Sequence, residues 1–336
     1  MNRLFSGLLL LVLFGLMGCG GRTLYVYNWT YYIPDDVVKQ FEKKYMCKVV
    51  YDVYSSNEEM FAKLKAGGRG YDVVFPSGDF VKIMIHEGML EKLEKSKLPN
   101  LKYLDNRILN KITFDAGNMF SVPYMVGTAG IAVNKKCVKD YDHSSSIFDR
   151  SDLKGRMTLL DDMREVLGMA LKSLGYSVNS TNPSELEQAK AVALRWKKNI
   201  LKFDAESFAK GFAAGEYWVV QGYAENVFLE LDEEQRKSVD FFIPKEGTTM
   251  YIDSMVILKN APHIDLAYKF INFIHEPEIY AKIADYLQLP AINTGASPFI
   301  KRSPHYNIED LDKCQLKEDL GQGVIKFNQA WESIRM

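Results

Sequence analysis

The chain of 336 residues is long enough for one large domain or for two domains of ordinary size. Its composition is globular, with 47% hydrophobic and 25% charged residues, and 42 basic residues nearly balance 43 acidic ones. The net charge of -1 and the absence of a basic run in the sequence argue against nucleic acid or an anionic membrane surface as a partner.

The first 18 residues predict an export signal. Residues 4–17 form an apolar stretch of about 14 residues, which is shorter than the roughly 20 that an ordinary membrane span needs. The stretch ends in Leu-Met-Gly-Cys, which resembles the bacterial lipobox, in which the cysteine becomes the acylated first residue of the mature protein. We therefore expect residues 1–18 to be removed and Cys19 to carry a lipid anchor. The alternative is a plain signal peptide with an incidental cysteine.

Patterns typical of strands and helices alternate along the rest of the chain. Short apolar runs rich in β-branched and aromatic residues predict strands at residues 24–27, 48–54, 71–75, 157–160, 216–221, 239–243 and 251–258. Apolar residues at helical spacing predict helices at residues 35–45, 58–66, 80–87, 161–174, 185–199, 264–274, 277–287 and 321–334. This alternation predicts an α/β fold with mostly parallel sheets. Residues 121–133, and as a second candidate residues 251–258, are expected to cross between two domains.

A cluster of aromatic residues follows the first predicted strand. Trp29, Tyr31 and Tyr32 lie within four positions, where the strand should already have ended. In open α/β sheets, ligands bind beyond the carboxyl ends of the strands, and the loop at residues 76–79 follows another strand in the same way. The rings therefore either line a ligand site or pack in a hinge or core.

Two groups of acidic residues point to a cationic ligand. Asp162 and Glu165 are neighbours at the start of a predicted helix, where they form either a receptor for a cation or a capping box. Asp253 lies inside an apolar strand, where an acid is costly unless it is paired, and we expect it to be more buried than Glu165. Tyr251 shares its face of the strand. A carboxylate beside an aromatic ring can hold an organic ammonium group, and several such contacts would suit a di- or polyamine.

Other chemistries lack their motifs in the sequence. There is no G-x-S-x-G or HExxH motif and the five histidines are scattered, so we expect no catalytic set, no metal site and no cofactor. Cys47, Cys137 and Cys314 are far apart and odd in number, which excludes a disulfide framework. The adjacent Tyr31 and Tyr32 leave a ferric-ion carrier open as an alternative.

The mature chain resembles the spermidine- and putrescine-binding proteins of bacterial polyamine ABC importers. The shared stretches cover nearly all of it, and the most specific are NWT-x-Y-x-P at residues 28–34, DD-x-RE-V at residues 161–166 and the Asp-Ser pair at residues 253–254. The resemblance implies a two-lobed periplasmic-binding-protein fold of type II, with the ligand in a cleft that closes about a hinge. Residues 24–129 and 254–299 are then expected to form lobe 1, and residues 130–253 and 300–336 to form lobe 2.

The resemblance also assigns ligand-binding residues by motif. It implies that Trp29, Thr30 and Tyr32 form an aromatic wall and that Ser77 makes a polar contact in the first lobe. Asp162 and Glu165 are then the pair of acids for one amine end of the ligand, and Asp253 is the acid for an inner amine. Tyr251 stands where the family commonly has tryptophan.

Several positions depart from the family pattern. Asp79 replaces an aromatic residue of the spermidine-binding members and adds a carboxylate to the expected site. A tryptophan that the family has near residues 220–221 and Tyr223 is absent from this sequence. Leu289 stands where the family has an aromatic residue. Either Gln315 or Lys317 falls where a glutamine is expected. These changes leave the choice between putrescine and spermidine open.

The function that the resemblance implies is capture of putrescine and/or spermidine by a monomeric, membrane-anchored receptor outside the cytoplasm. The receptor would deliver the polyamine to the permease and ATPase of an ABC importer and would perform no enzymatic reaction. The residues also allow a ferric-ion or other solute carrier on the same fold. A transferase or an adhesin that has lost its ligand fits them less well.

Overall fold

The computed structural model describes residues 22–68 and 70–336, so the expected signal peptide and Cys19 lie outside the described residues. Its strands are, in chain order, β1 (Thr23–Trp29), β2 (Lys48–Tyr54), β3 (Val73–Val74), β4 (Ser121–Gly127), β5 (Ala129–Asn134), β6 (Met157–Leu159), β7 (Ile200–Phe203), β8 (Val219–Tyr223), β9 (Val239–Phe242), β10 (Thr249–Ile257) and β11 (Gln315–Leu316). Its α-helices are α1 (Asp35–Tyr45), α2 (Asn57–Lys65), α3 (Gly78–His86), α4 (Asn106–Leu109), α5 (Met163–Ser173), α6 (Pro183–Lys197), α7 (Phe208–Ala213), α8 (Ala224–Leu229), α9 (Glu233–Arg236), α10 (Ile264–Ile274), α11 (Pro277–Leu287) and α12 (Val324–Arg335).

The strands form two sheets. The first has the order β11-β10-β3-β1-β2, with β4 also paired to β10, and the second has the order β7-β6-β8-β5-β9. The predicted α/β class is confirmed, but the sheets are mixed rather than mostly parallel. Strand β10 runs antiparallel to β3 and β4, and β5 runs antiparallel to β8 and β9. The reason is that the chain enters β5 from the first sheet and β10 from the second sheet. Each of these two strands then runs antiparallel to the neighbouring strands named above.

Local sequence explains how α1 fixes the loop that precedes it. The helix begins after Pro34, carries Asp35 and Asp36 in its first turn and has two lysines in its last turn. These charges oppose the helix dipole and so stabilise both ends. Val37 and Phe41 face the core and hold α1 against the first sheet. The chain between β1 and α1 is therefore short and anchored at both ends.

Each sheet has its own hydrophobic core. The core of the first sheet includes Phe41, Phe270 and Tyr280. The second sheet is covered on both faces, because alternate residues of β5 and β8 point into two different clusters, the larger of which contains Phe148 and Trp196. Among the described helices, none combines the length and the apolar character that a membrane span requires.

The chain crosses from the first sheet to the second at Thr128, between β4 and β5, as predicted for residues 121–133. Thr128 is buried, and its Oγ1 donates to the carbonyl oxygen of Thr249 at 2.5 Å. The second crossing precedes β10 instead of lying within residues 251–258, because all of β10 belongs to the first sheet. The first sheet thus takes in Thr249 and β11, which the sequence analysis gave to lobe 2. The lobe boundaries themselves remain a prediction.

Candidate functional site

The loops after β1 and β3 converge on Asp253. This residue lies in β10 at a register shift against β4, and it is 4% exposed. The hydroxyl of Tyr32 donates to its Oδ2 at 2.7 Å, and Oγ of Ser77 donates to its Oδ1 at 2.6 Å. Two neutral donors offset part of the cost of burying the acid. Burial nevertheless raises the pKa of Asp253 to about 6.

The other residues after β1 have different roles. Trp29 is half-buried, its Nε1 donates to the carbonyl oxygen of Phe75 at 2.8 Å, and its ring packs on Tyr54. Thr30 is exposed, and its Oγ1 lies 3.5 Å from the carbonyl oxygen of Tyr54. Tyr31 has a φ of 56° and is 71% exposed, whereas Tyr32 is buried on Asp253. The two adjacent tyrosines thus occupy different environments, which argues against a ferric ion held between them.

Asp162 caps helix α5. Its Oδ1 accepts hydrogen bonds from the backbone nitrogens of Arg164 and Glu165 at 2.8 and 3.0 Å. The capping interpretation therefore describes what Asp162 does in this structure. The first turn of α5 is thereby fixed, and the side chain of Glu165 extends from it.

Glu165 is fully buried and already has a cationic partner. Nζ of Lys317 lies 2.6 Å from its Oε1, and the hydroxyl of Thr249 donates to its Oε2. The hydroxyl of Tyr223 lies 3.5 Å from Oε1. Glu165 is thus more buried than Asp253, which is opposite to the order that the sequence analysis expected. The reason is that the ion pair with Lys317 permits its complete burial.

Lys317 rather than Gln315 points towards these acids. The side chain of Gln315 bonds instead to the backbone nitrogen of Val178 and to Oγ of Ser177, at 3.0 and 2.8 Å. The side chain of Lys317 is 15% exposed. Burial lowers the pKa of Lys317, but the carboxylates of Glu165, Asp162 and Asp79 together hold it above its ordinary value.

Asp79 lies in the first turn of α3. Burial raises the pKa of Asp79, while the positive charges of Lys317 and Arg164 lower it. Nη1 of Arg164 donates to the carbonyl oxygen of Glu318 at 3.0 Å, and its Nη2 donates to Asn179. Asp79 therefore faces one cation from α5, which follows a strand of the second sheet, and one cation that follows β11 of its own sheet.

Tyr251 contacts a further acid, Glu225. Its hydroxyl donates to Oε1 of Glu225 at 3.3 Å, and its ring meets that of Tyr223 edge-on at 6.0 Å. Oε2 of Glu225 is buried and has no hydrogen-bond partner among the described residues. Burial raises the pKa of Glu225 to about 7. A buried carboxylate oxygen without a donor can accept one from a ligand.

The family of the protein is decided by comparison with known sequences. Residues 36–308 match the family described as bacterial extracellular solute-binding protein. The chain belongs to this family.

Relatives of this solute-binding protein include proteins named for polyamines. It is 38% identical to the putrescine/cadaverine-binding protein of Pseudomonas aeruginosa, over 83% of this chain and 81% of the relative. It is 35% identical to the spermidine/putrescine-binding periplasmic protein of Escherichia coli, over 94% of this chain and 92% of the relative. The crystal structure of the Tp0655 (TpPotD) lipoprotein of Treponema pallidum is similar at a TM-score of 0.91 and 46% identity, covering 93% of this chain and 99% of that one. The resemblance and the fold class inferred from the sequence are thereby confirmed.

In this solute-binding protein, two of the predicted acids each collect a group of side chains. Around Asp253 the structure brings together Tyr32 and Ser77, and around Glu165 it brings together Lys317 and Thr249. Trp29 and Thr30 bond to backbone carbonyls of the first sheet instead of to either acid, and Leu289 is buried in the first core.

The sequence analysis missed Glu225. The signal for it was weak, because an acid in the first turn of a helix is usually explained by the helix dipole. The one indication that Glu225 could belong to a ligand site was its position just after the end of β8, which corresponds to the position of Asp79 after the end of β3.

Proposed function

We propose that this protein captures a polyamine, putrescine and/or spermidine, outside the cytoplasm and delivers it to the permease and ATPase of an ABC importer. The observation that supports this most strongly is Asp253, a buried carboxylate whose partners are two neutral hydroxyls. An ammonium group is the natural complement of such an acid. The names of the relatives at 38% and 35% identity support the same ligand class.

The remaining acids extend the same argument. Glu225 offers an unpartnered carboxylate oxygen beside the ring of Tyr251, and the ring face adds cation–π attraction of about 0.5–2 kcal/mol for an ammonium group. Carboxylates at separate points of the proposed cleft fit a molecule with amino groups at both ends. We propose that Trp29, Thr30, Asp79 and Asp162 line this cleft as well.

The mode of action follows from binding alone. We propose that the protein is not an enzyme, that it acts as a monomer, and that a lipid on Cys19 tethers it to a membrane outside the cytoplasm. The apolar stretch before Cys19 supports the anchor, and the similar Treponema pallidum structure is named as that of a lipoprotein.

Isothermal titration calorimetry tests the proposal directly. The protein, produced without residues 1–19 and refolded to remove bound ligand, is titrated with putrescine and with spermidine. We expect saturable binding of one ligand per chain, with an affinity that does not change with protein concentration. A folded protein that gives no heat with either amine would contradict the proposed function.

Putrescine binding is expected to weaken as the pH falls below about 7, because burial raises the pKa of Glu225 to about 7. The pKa of Asp253 is raised by burial to about 6, whereas amino groups like that of lysine, with a pKa of about 10.4, stay protonated in this range. Because an ammonium group binds the ionised carboxylate, each acid that takes up a proton should lower the affinity by about tenfold per pH unit, so the affinity should fall by about tenfold per unit below pH 7 and more steeply below pH 6. Calorimetry between about pH 5 and pH 8 measures this, and an affinity that rises towards pH 5 would refute it.

The same acid acts oppositely on the stability of the free protein. Its pKa is 3.8 ordinarily and higher in the fold, so the folded state holds a proton that the unfolded state has lost between these values. The contribution of Asp253 to the free energy of unfolding therefore decreases as the pH rises from about 4 to 6. The difference between wild type and Asp253→Asn isolates this contribution from those of other acids.

A further inference from the structure

The cleft contains an ammonium group that belongs to the protein. Lys317 contributes Nζ, 2.6 Å from Oε1 of Glu165, and the hydroxyl of Thr249 completes the contact at Oε2. Glu165 is 0% exposed at its side chain and Lys317 is 15% exposed. The acid that the motif comparison reserved for an amine end of the ligand is thus occupied by an amine of the chain itself.

The backbone holds Lys317 in this place. Strand β11 pairs with the start of β10, with Gln315 opposite Thr249 and Leu316 opposite Met250, and the backbone nitrogen of Lys317 donates to the carbonyl oxygen of Met250 at 3.0 Å. The residue therefore follows a strand that is fixed beside the one carrying Tyr251 and Asp253. Its backbone is thus bonded to β10 at the residue from which the side chain reaches Glu165.

Other charged groups face the same ammonium. Asp162 on the cap of α5 and Asp79 on α3 are close enough to favour its charged form, and Arg164 adds a second cation on this side. By contrast, Asp253 and Glu225 have tyrosine and serine hydroxyls as their hydrogen-bond donors within residues 22–68 and 70–336. Lys317 therefore bonds directly to Glu165, whereas it acts on Asp253 only through its charge, and the hydrogen bonds of Asp253 and Glu225 come from neutral hydroxyls.

We propose that Lys317 is a specificity-determining residue, which takes the place of one ligand ammonium at Glu165 and so restricts the cleft to a diamine. This inference rests on the proposed function. A diamine places its two ammonium groups near Asp253 and Glu225. A triamine has a third ammonium group, which would have to displace Lys317 or lie beside it, where like charges repel.

Titration of three ligands against matched variants tests this. Putrescine, cadaverine and spermidine are titrated into the wild type, Lys317→Gln, Lys317→Arg and Lys313→Gln. Lys313 is the control, because its Nζ bonds to the carbonyl oxygen of Ile243, away from Glu165. We expect the wild type to bind a diamine at least about tenfold more tightly than spermidine. Lys317→Gln should shift this ratio towards spermidine by about tenfold or more, because spermidine can then supply the ammonium group that Glu165 lacks.

The conservative variants separate charge from structure. Lys317→Arg keeps the positive charge and should keep the preference for diamines, and Lys313→Gln should keep it as well. A change of equal size for all three ligands in Lys317→Gln would show that Lys317 affects the cleft without selecting ligand length, and it would overturn the inference.

The outcomes also separate this inference from the proposed function. A wild type that binds no amine overturns both. A wild type that binds amines but prefers spermidine overturns this inference alone, and that measurement needs no variant to fold.

Discussion

Replacing Asp253 with asparagine is expected to weaken putrescine binding by about 100-fold or more, because truncating one partner of a buried charge pair costs about 2–5 kcal/mol. Asparagine keeps the shape of the side chain, and its amide oxygen can still accept from one of the two hydroxyls of Tyr32 and Ser77, while the other hydroxyl can turn to accept from the amide NH2 group. It cannot offer a negative charge to an ammonium group. The affinity is measured by calorimetry at neutral pH.

Two further variants calibrate this effect. Asp142→Asn removes an exposed acid that pairs with Lys245 outside the cleft, and we expect it to leave the affinity unchanged. Tyr32→Phe removes one donor from Asp253 and should have a smaller effect than Asp253→Asn. If Asp253→Asn bound putrescine as well as Asp142→Asn does, Asp253 would not hold the ligand.

Glu165→Gln is expected to lower the free energy of unfolding by on the order of 3–5 kcal/mol, because it leaves a buried cation without its partner. Lys317 would lose the carboxylate oxygen 2.6 Å from its Nζ, in a position where little of its side chain reaches water. Urea unfolding of the ligand-free protein, followed by circular dichroism, measures the change. The loss of putrescine affinity should be smaller than in Asp253→Asn, since Glu165 already has a cation.

A double variant shows whether the pair causes this loss. In Glu165→Gln/Lys317→Gln both charges are removed, so the double variant should be more stable than the sum of the two single changes predicts. Strictly additive changes would mean that the two side chains do not interact, and they would contradict the ion pair.

The position of Asp253 could be predicted because its sequence context is unusual. A buried acid within an apolar strand has a large desolvation cost unless polar groups contact it, so the presence of hydrogen-bond donors around Asp253 follows from residue chemistry alone. The loops that supply Tyr32 and Ser77 could be located in the same way, from the ends of predicted strands. These features depend on local sequence and on one general rule of α/β folds.

The relation between Glu165 and Lys317 could not be predicted, because it depends on contacts between segments 152 residues apart. Sequence left Gln315 and Lys317 as equal candidates, since a shift of two positions on an unrecognised strand cannot be detected by pattern. Strand β11 has two residues and so has no measurable period. The greater burial of Glu165 follows from this pair and was missed with it.

The mixed sheets were missed for a related reason. Strand direction depends on where the chain enters a sheet, and periodicity carries no information about direction. The prediction of parallel sheets assumed that every strand continues a βαβ unit of its own sheet. Strands β5 and β10 do not, because each follows a crossing.

The hydrogen bond between Thr128 and Thr249 joins the two crossings at one level of the molecule. Thr249 is also the first residue of β10, the strand that carries Asp253. Its hydroxyl donates to Glu165, which lies in helix α5 beside the second sheet. Thr249 thus contacts both Thr128 at the first crossing and Glu165, and its strand β10 carries Asp253. We propose that the two crossings form the hinge between the expected lobes, so that a ligand bound to Asp253 acts on this hinge through Thr249 of the same strand.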